Sequence, residues 1–314
     1  MRPRKPIMLA LQVALAALVV WFAWRSLSPE LDQFGAAWSR LRVRPLLLAA
    51  SGLTVFANYA LLIQTWRRVV LDWGGTLPFG TAARIWLISN LGKWVPGKVW
   101  QIAAMGAMAQ RAGVAATVAV GSSLYIAVIN VIAGFAVCLL CAPNAFAIPP
   151  ALVATLGVAA AAFVLTPRAI PAVVAWVARR IGRELNLAPL RYRTVALTFL
   201  SCAAAWVIHG IAFQMLAAAT MGNVSGATLR YVALFTSSYL VGYLALFAAG
   251  GIGVRESMMI AIVNRYGLMT AAEVAVLSIV SRIWLTVLEL LPGLVLLVFS
   301  RNRPITAAQN ARTP

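Results

Sequence analysis

From Ala112 to Pro167 the chain runs for 56 residues without a formal charge. That single feature excludes most folds. About a quarter of the residues of a soluble domain are charged, and no element of ordinary length hides so long an apolar run from water. A membrane-spanning helix takes about 20 apolar residues, so the run predicts two spans. Pro143-Asn144 and Pro149-Pro150 mark the turn between them. The rest of the chain has the same character: 62% of its 314 residues are hydrophobic and 11% are charged. The net charge of +19 does not point to nucleic acid, whose binders are polar as well as basic.

Further spans are expected at Ile7–Trp24, Pro45–Trp66, Tyr231–Val254 and about Ala272–Phe299. Thr194–Leu229 reads as one span followed by the polar turn Met221–Gly226. Ile7–Trp24 follows a basic start and has the look of a signal peptide. It is 18 residues long, with no clear small-residue cleavage site before Trp24-Arg25, and is read as an uncleaved span.

Two stretches are not normal spans. Phe79–Arg111 carries Arg84, Lys93, Lys98 and Arg111 and is broken at Val95-Pro96-Gly97. Gly250–Gly267 opens Gly-Gly-Ile-Gly and carries Arg255, Glu256 and Arg265. Both read as half-helices or re-entrant hairpins, since irregular backbone survives at membrane depth only under protein or beside a water-filled cavity. The fold expected is an all-α polytopic transmembrane bundle of about eight membrane segments. Residues 1–300 form its single domain, with a disordered cytoplasmic tail at 301–314.

Lys and Arg in short loops set orientation. The N-terminus (Arg2, Arg4, Lys5), Arg67-Arg68, the loop from Arg168 to Arg193 and the tail at Arg301 and Arg303 can all lie on the cytoplasmic side. That requires Gly250–Gly267 to count as a crossing and Phe79–Arg111 to return to its own side. Arg40, Arg42 and Arg44 then fall outside, on an interfacial helix whose cations snorkel.

The two broken stretches match each other. Pro96-Gly97-Lys98-Val99 overlays Ala249-Gly250-Gly251-Ile252 at an offset of 153 residues, close to half the chain. Paired Gly/Pro-interrupted segments in corresponding halves point to a transporter binding site and an internal pseudo-repeat. A helix restarting after a break offers unpaired N–H groups and the positive end of its dipole to a phosphate or carboxylate. Lys93, Lys98 and Arg255 would add charge. For one element alone, a helix end at the interface with snorkelling cations explains as much. The matching of two favours a site.

Arg282 and Glu289 stand seven apart in the final span, on one helix face but two turns apart. Each charge at mid-membrane costs about 2.5–3.5 kcal/mol, so each needs a partner on another helix. Glu256, Arg255 and Lys98 are candidates, in a lined cavity or in a structural ion pair. Pro292-Gly293 is a candidate kink. Asn58, Gln64, Asn90, Asn130, His209 and Gln214 are read singly as interhelical hydrogen bonds, and Trp94 and Trp100 as interface anchors. Cys138 and Cys141 form a C-x-x-C inside an apolar run and are read as packed small hydrophobes. His209 is the only histidine, so no metal site is expected, nor any cofactor.

Lys93-Trp-Val-Pro-Gly-Lys-Val-Trp-Gln101, Gly250-Gly-Ile-Gly-Val-Arg-Glu256, Arg282 and Glu289-Leu-Leu-Pro-Gly293 resemble the transmembrane region of lysylphosphatidylglycerol synthase, the flippase-like integral membrane family. The resemblance covers about residues 7–300. Ala249 stands where the family often has a proline, and Gly250, Gly251 and Gly253 can supply the break. The resemblance implies lipid translocation in a bacterial inner membrane, the lipid being an anionic phospholipid, an aminoacylated lipid or a lipid-linked glycan. The chain carries no aminoacyl-transfer domain, so it is not expected to make the lipid or to be an enzyme.

The binding residues expected from the first element are Lys93, Pro96, Gly97, Lys98 and Gln101. Those from the second half are Gly250, Gly251, Gly253, Arg255, Glu256, Arg282 and Glu289. Expected partners are membrane lipids with anionic headgroups, with a separate lipid or glycan synthase and a second copy of the chain kept open, and no nucleic acid. The alternatives are a membrane-embedded enzyme using Glu256 or Glu289 as acid or base, and a scaffold for a separate synthase.

Overall fold

The structure, a computed structural model, describes residues 43–94, 100–141, 168–180, 187–222, 226–244 and 254–299, with single positions at 155, 166, 182 and 224. The expected first span, the second span of the Ala112–Pro167 run and the C-terminal tail lie outside the described residues. Among those described, all regular structure is helical.

Four helices are long and apolar enough to cross a membrane. They are α1 (Pro45–Asp72), α4 (Ala116–Cys141), α6 (Tyr192–Met221) and α9 (Ala271–Phe299). At 1.5 Å per residue, the shortest, α4 with 26 residues, spans about 39 Å, more than the roughly 30 Å of hydrocarbon. α1 starts with a proline at its first turn, where the missing N–H costs nothing. α6 stops at Gly222, whose φ of 86° suits glycine alone. Thr270 and Glu273 cap α9. The Thr270 N–H donates to Glu273 Oε2 at 2.8 Å and the Glu273 N–H donates to Thr270 Oγ1 at 3.3 Å. Glu273 therefore terminates the last span as a capping box and is not an intramembrane charge.

α1 packs most extensively on α6, and α4, α6 and α7 (Thr228–Leu244) close the bundle. Small residues let the backbones approach. Gly210 of α6 lies against the Cα of Val232 on α7, and a Cβ at Gly134 of α4 would come 2.9 Å from Trp206 Nε1. Buried polar groups tie helices together. Ser51 Oγ donates to the Ala212 carbonyl at 2.7 Å, and Trp66 Nε1 donates to Ser122 Oγ at 3.1 Å. Trp206 Nε1 donates to the Asn130 carbonyl at 2.8 Å. In lipid such bonds and close packing hold helices together, because apolar burial does not. Leu46, Leu53, Leu140 and Leu200 are exposed, as residues facing acyl chains should be. Cys138 packs in the core of α4 with Cys141 one turn on.

Contacts at the helix ends fix which termini share a side. Arg191, just before α6, pairs with Asp72 at the end of α1 at 3.5 Å. Trp73 Nε1 donates to the Ala188 carbonyl at 3.0 Å. Arg67, Arg68, Arg191 and Arg193 thus share one end of the bundle. At the other end the Arg44 N–H donates to the Ala219 carbonyl at 2.8 Å. Arg44 therefore lies opposite those arginines, as the charge reading places it, while Arg40 and Arg42 fall outside the described residues. The Arg168–Arg193 stretch holds a helix of its own, α5 (Ala169–Arg180), packed on α4 with Trp176, Arg179 and Arg180 exposed.

The remaining helices are short. α2 (Phe79–Ser89) runs into a 3₁₀ turn at Asn90–Trp94, and α3 is Trp100–Arg111. α2 and α3 have 11 and 12 residues, about 17–18 Å of rise each, and cannot cross. They pack side by side. Gly92 meets the start of α3 so closely that a Cβ there would sit 2.8 Å from the Gln101 nitrogen. Both outer ends lie at the Asp72 end of the bundle. Arg67 Nε of α1 donates to the Leu77 carbonyl just before α2 at 2.6 Å, and Val114 just after α3 lies beside Gly75.

α7 and α8 (Val254–Tyr266) form the counterpart, with 17 and 13 residues. They also pack together. Their outer ends meet at the Arg44 end, where the Arg230 guanidinium lies 5.4 Å over the Tyr266 ring and Leu268 touches Gly226. Both outer ends thus share a side, as the charge reading requires of Tyr231–Val254 followed by Gly250–Gly267, and residues 245–253 between them lie outside the described residues. The two broken elements open toward opposite ends of the bundle, the inverted arrangement that the offset of half a chain calls for.

Candidate functional site

The inner ends of the two hairpins meet in one cavity of about 250 Å³, walled by α1, α4, α6 and α9. The first hairpin contributes Asn90 and Gln101, whose Nε2 donates to Asn90 Oδ1 at 2.5 Å. That bond spans the break, from the 3₁₀ turn to the first turn of α3. The second hairpin contributes Arg255, at the second position of α8.

α9 lines the cavity with Arg282, Leu285, Thr286 and Glu289. The spacing i, i+3, i+4, i+7 is one face of a helix. The stripe continues outward through Ser278 and Ser281, both buried. A helix apolar enough to span the membrane thus carries a polar seam turned inward. Arg282 Nη2 donates to Glu256 Oε1 at 2.6 Å, a salt bridge between α9 and α8 with both side chains about a quarter exposed. Ser278 Oγ adds a long bond of 3.5 Å to the same carboxylate oxygen. Arg255 is 6% exposed, and its Nη2 donates to Ser281 Oγ at 2.9 Å. Its Nε has no hydrogen-bond partner among the described residues. A guanidinium buried in this way is costly unless it meets an anion. Glu289 is equally buried.

Much of the remaining lining is aromatic and neutral. Tyr59 of α1, Trp206 and His209 of α6, and Phe235 and Tyr239 of α7 form it. The His209 and Phe235 rings stack at 5.4 Å and 3°. Trp206 and Tyr239 meet edge to face at 5.6 Å. Asn58, behind this wall, bonds His209 Nδ1 and donates to the Ala205 carbonyl at 3.1 Å. The interhelical role expected of Asn58 is therefore present. Asn90, Asn130 and His209, singly indistinguishable from such bonds in the sequence, also face the cavity.

Of the predicted residues, Gln101, Arg255, Arg282 and Glu289 line this one space, and Glu256 holds Arg282 at its edge. Pro96, Gly97, Lys98, Gly250, Gly251 and Gly253 lie outside the described residues. Lys93 belongs to the 3₁₀ turn, and its side chain is likewise outside them. Trp100 is exposed at the start of α3. The aromatic wall went unread because its members fall on three helices. The available signal was local: Trp206 and His209 at i, i+3 and Phe235 and Tyr239 at i, i+4, each a polar-tipped aromatic pair inside an apolar run.

Four helices able to cross a membrane, two opposed hairpins and a charged cavity at their meeting point define, among the described residues, a multi-pass membrane protein with an internal polar site. The chain belongs to the family described as the lysylphosphatidylglycerol synthase TM region, which matches residues 9–293. Membership makes it a membrane protein of lipid metabolism or transport. No curated protein matches the chain.

Proposed function

We propose that the protein moves a phosphate-bearing lipid between the leaflets of a bacterial inner membrane, its headgroup passing through the cavity while the acyl or prenyl tails stay in lipid. The observation that carries this reading is the meeting of two oppositely directed hairpins at Arg255. A buried guanidinium with an unpartnered Nε lies there among polar groups from three helices. Opposed hairpins give a site two sides from which it can be reached, as alternating access requires. Arg255 and Arg282 bind the phosphate. Glu256 holds Arg282 in place and Glu289 balances the charge.

The arginine-rich end at Arg67, Arg68, Arg191 and Arg193 is cytoplasmic by the positive-inside rule, and both chain termini lie on that side. No bond-making step forms part of the proposal. The lipid comes from a separate synthase. The test is leaflet exchange of labelled anionic lipids in liposomes holding the purified protein. Exchange well above that of empty liposomes is the expected result, and exchange no faster than empty liposomes across several anionic lipids would refute transport.

A further inference from the structure

The charges of Arg255 and Arg282 explain a phosphate but leave the aromatic and amide lining without a purpose. Tyr59, Trp206, His209 and Tyr239 line the same space as Asn130 and the bonded pair Asn90–Gln101. Tyr59 is 6% exposed, and its hydroxyl has no hydrogen-bond partner among the described residues. A buried hydroxyl left in that state bears the cost of its lost hydration with nothing to offset it. A helix interface under packing pressure alone would be better served by phenylalanine. Tyr59 therefore holds a hydroxyl ready for something that enters the cavity.

The partners around it are amides, an imidazole and aromatic faces. Such groups are neutral donors and acceptors beside flat apolar plates. A primary ammonium is better served by a free carboxylate, and neither carboxylate here is free: Glu256 is bonded to Arg282, and Glu289 is engaged within the bundle in the field of Arg255. A glycerol headgroup has no ring face to lay against Trp206 or Tyr239. A polyol ring has both surfaces, hydroxyls around its edge and C–H groups on its face. We infer that the cavity recognises a sugar or other polyol ring carried on a phosphate, with the ring against the Tyr59–Trp206–Tyr239 wall and the phosphate at Arg255. This rests on the transport reading for the location of the phosphate and adds the chemistry of the group beyond it. A glycosylated phospholipid and a prenyl-phosphate sugar present the same headgroup chemistry.

The experiment uses the purified full chain in nanodiscs and in liposomes. The probes are phosphatidylinositol, phosphatidylglycerol and lysyl-phosphatidylglycerol with matched acyl chains, together with a short-chain prenyl-phosphate glucose. Phosphatidylinositol and phosphatidylglycerol differ in the ring and not in net charge. Binding is read from the quenching of intrinsic tryptophan fluorescence in nanodiscs, and exchange from labelled lipid in liposomes. The ring-bearing probes should bind about tenfold more tightly than phosphatidylglycerol, the equivalent of one added hydrogen bond. Tyr59→Phe, which removes one oxygen, should shrink that ratio severalfold.

Equal affinity for phosphatidylglycerol and phosphatidylinositol, or tighter binding of the lysyl lipid, overturns the inference even if all are exchanged. Ring-selective binding without exchange of any lipid upholds it and removes the transport reading instead. The relative affinity of the inositol and prenyl probes decides between the two sources. Should Tyr59→Phe fail to fold, Asn130→Ala and Gln101→Ala test the same wall through the same ratio.

Discussion

The Arg282–Glu256 salt bridge is where the charge chemistry can be read most directly. It joins α9 to α8 at 2.6 Å, beside a second arginine. Glu256→Gln leaves two cations side by side with their nearest neutralising group gone. Breaking a buried pair from one side costs on the order of 3–5 kcal/mol, and the remaining exposure here brings the expected cost to about 2 kcal/mol. The purified variant should melt several degrees lower. The swap Glu256→Arg with Arg282→Glu should recover most of the loss, and a swap that melts no higher than Glu256→Gln would show that the pair is not what the charges do. Arg255→Ala removes the guanidinium assigned to the phosphate and should slow lipid exchange by tenfold or more. Arg282 and Glu289 could be picked from the sequence because charges inside an apolar run are costly. The partner of Arg282 could not be fixed there, since Glu256, Arg255 and Lys98 all remained in reach until the helices were placed.

The hairpins depend on close approach at their inner ends, and the glycines say where. A Cβ at Gly92 would lie 2.8 Å from the Gln101 nitrogen and 2.9 Å from the Trp100 carbonyl carbon. Backbone cannot yield as a side chain can, so Gly92→Ala should open the first hairpin and separate Asn90 from Gln101. Ligand binding and thermal stability should fall together. Removing the cap of α9 with Thr270→Ala should cost about 1 kcal/mol, readable in the melting temperature, while the exchange rate per folded molecule stays unchanged. The broken character of Phe79–Arg111 and Gly250–Gly267 was legible in the sequence because glycine and proline clusters interrupt helical hydropathy. The return of the second element was legible too, since the arginine count placed both ends of Tyr231–Gly267 on one side, and the Arg230–Tyr266 and Gly226–Leu268 contacts bring those ends together.

At the scale of the whole molecule the two hairpins enter from opposite ends. In a cysteine-free background, single cysteines should report this through a membrane-impermeant thiol reagent. Tyr192→Cys, at the arginine-rich end, should label only from the cytoplasmic side, and Leu229→Cys and Tyr266→Cys only from the other. Labelling of Tyr266→Cys from the same side as Tyr192→Cys would mean that the second element does not return to its own side. The all-helical class and the expectation of a polar, lined cavity followed from apolar runs and misplaced charges. The aromatic wall did not, because it is assembled from single residues on α1, α6 and α7 that no sequence window holds together. The claim that unites these scales is that a headgroup passes through the cavity. The most direct test places a single cysteine at Asn130 or Thr286, in a cysteine-free protein reconstituted in liposomes, and compares lipid exchange before and after attachment of a bulky maleimide. Exchange that falls to the empty-liposome rate on modification is the predicted result, and exchange that continues undiminished with the cavity filled would contradict it.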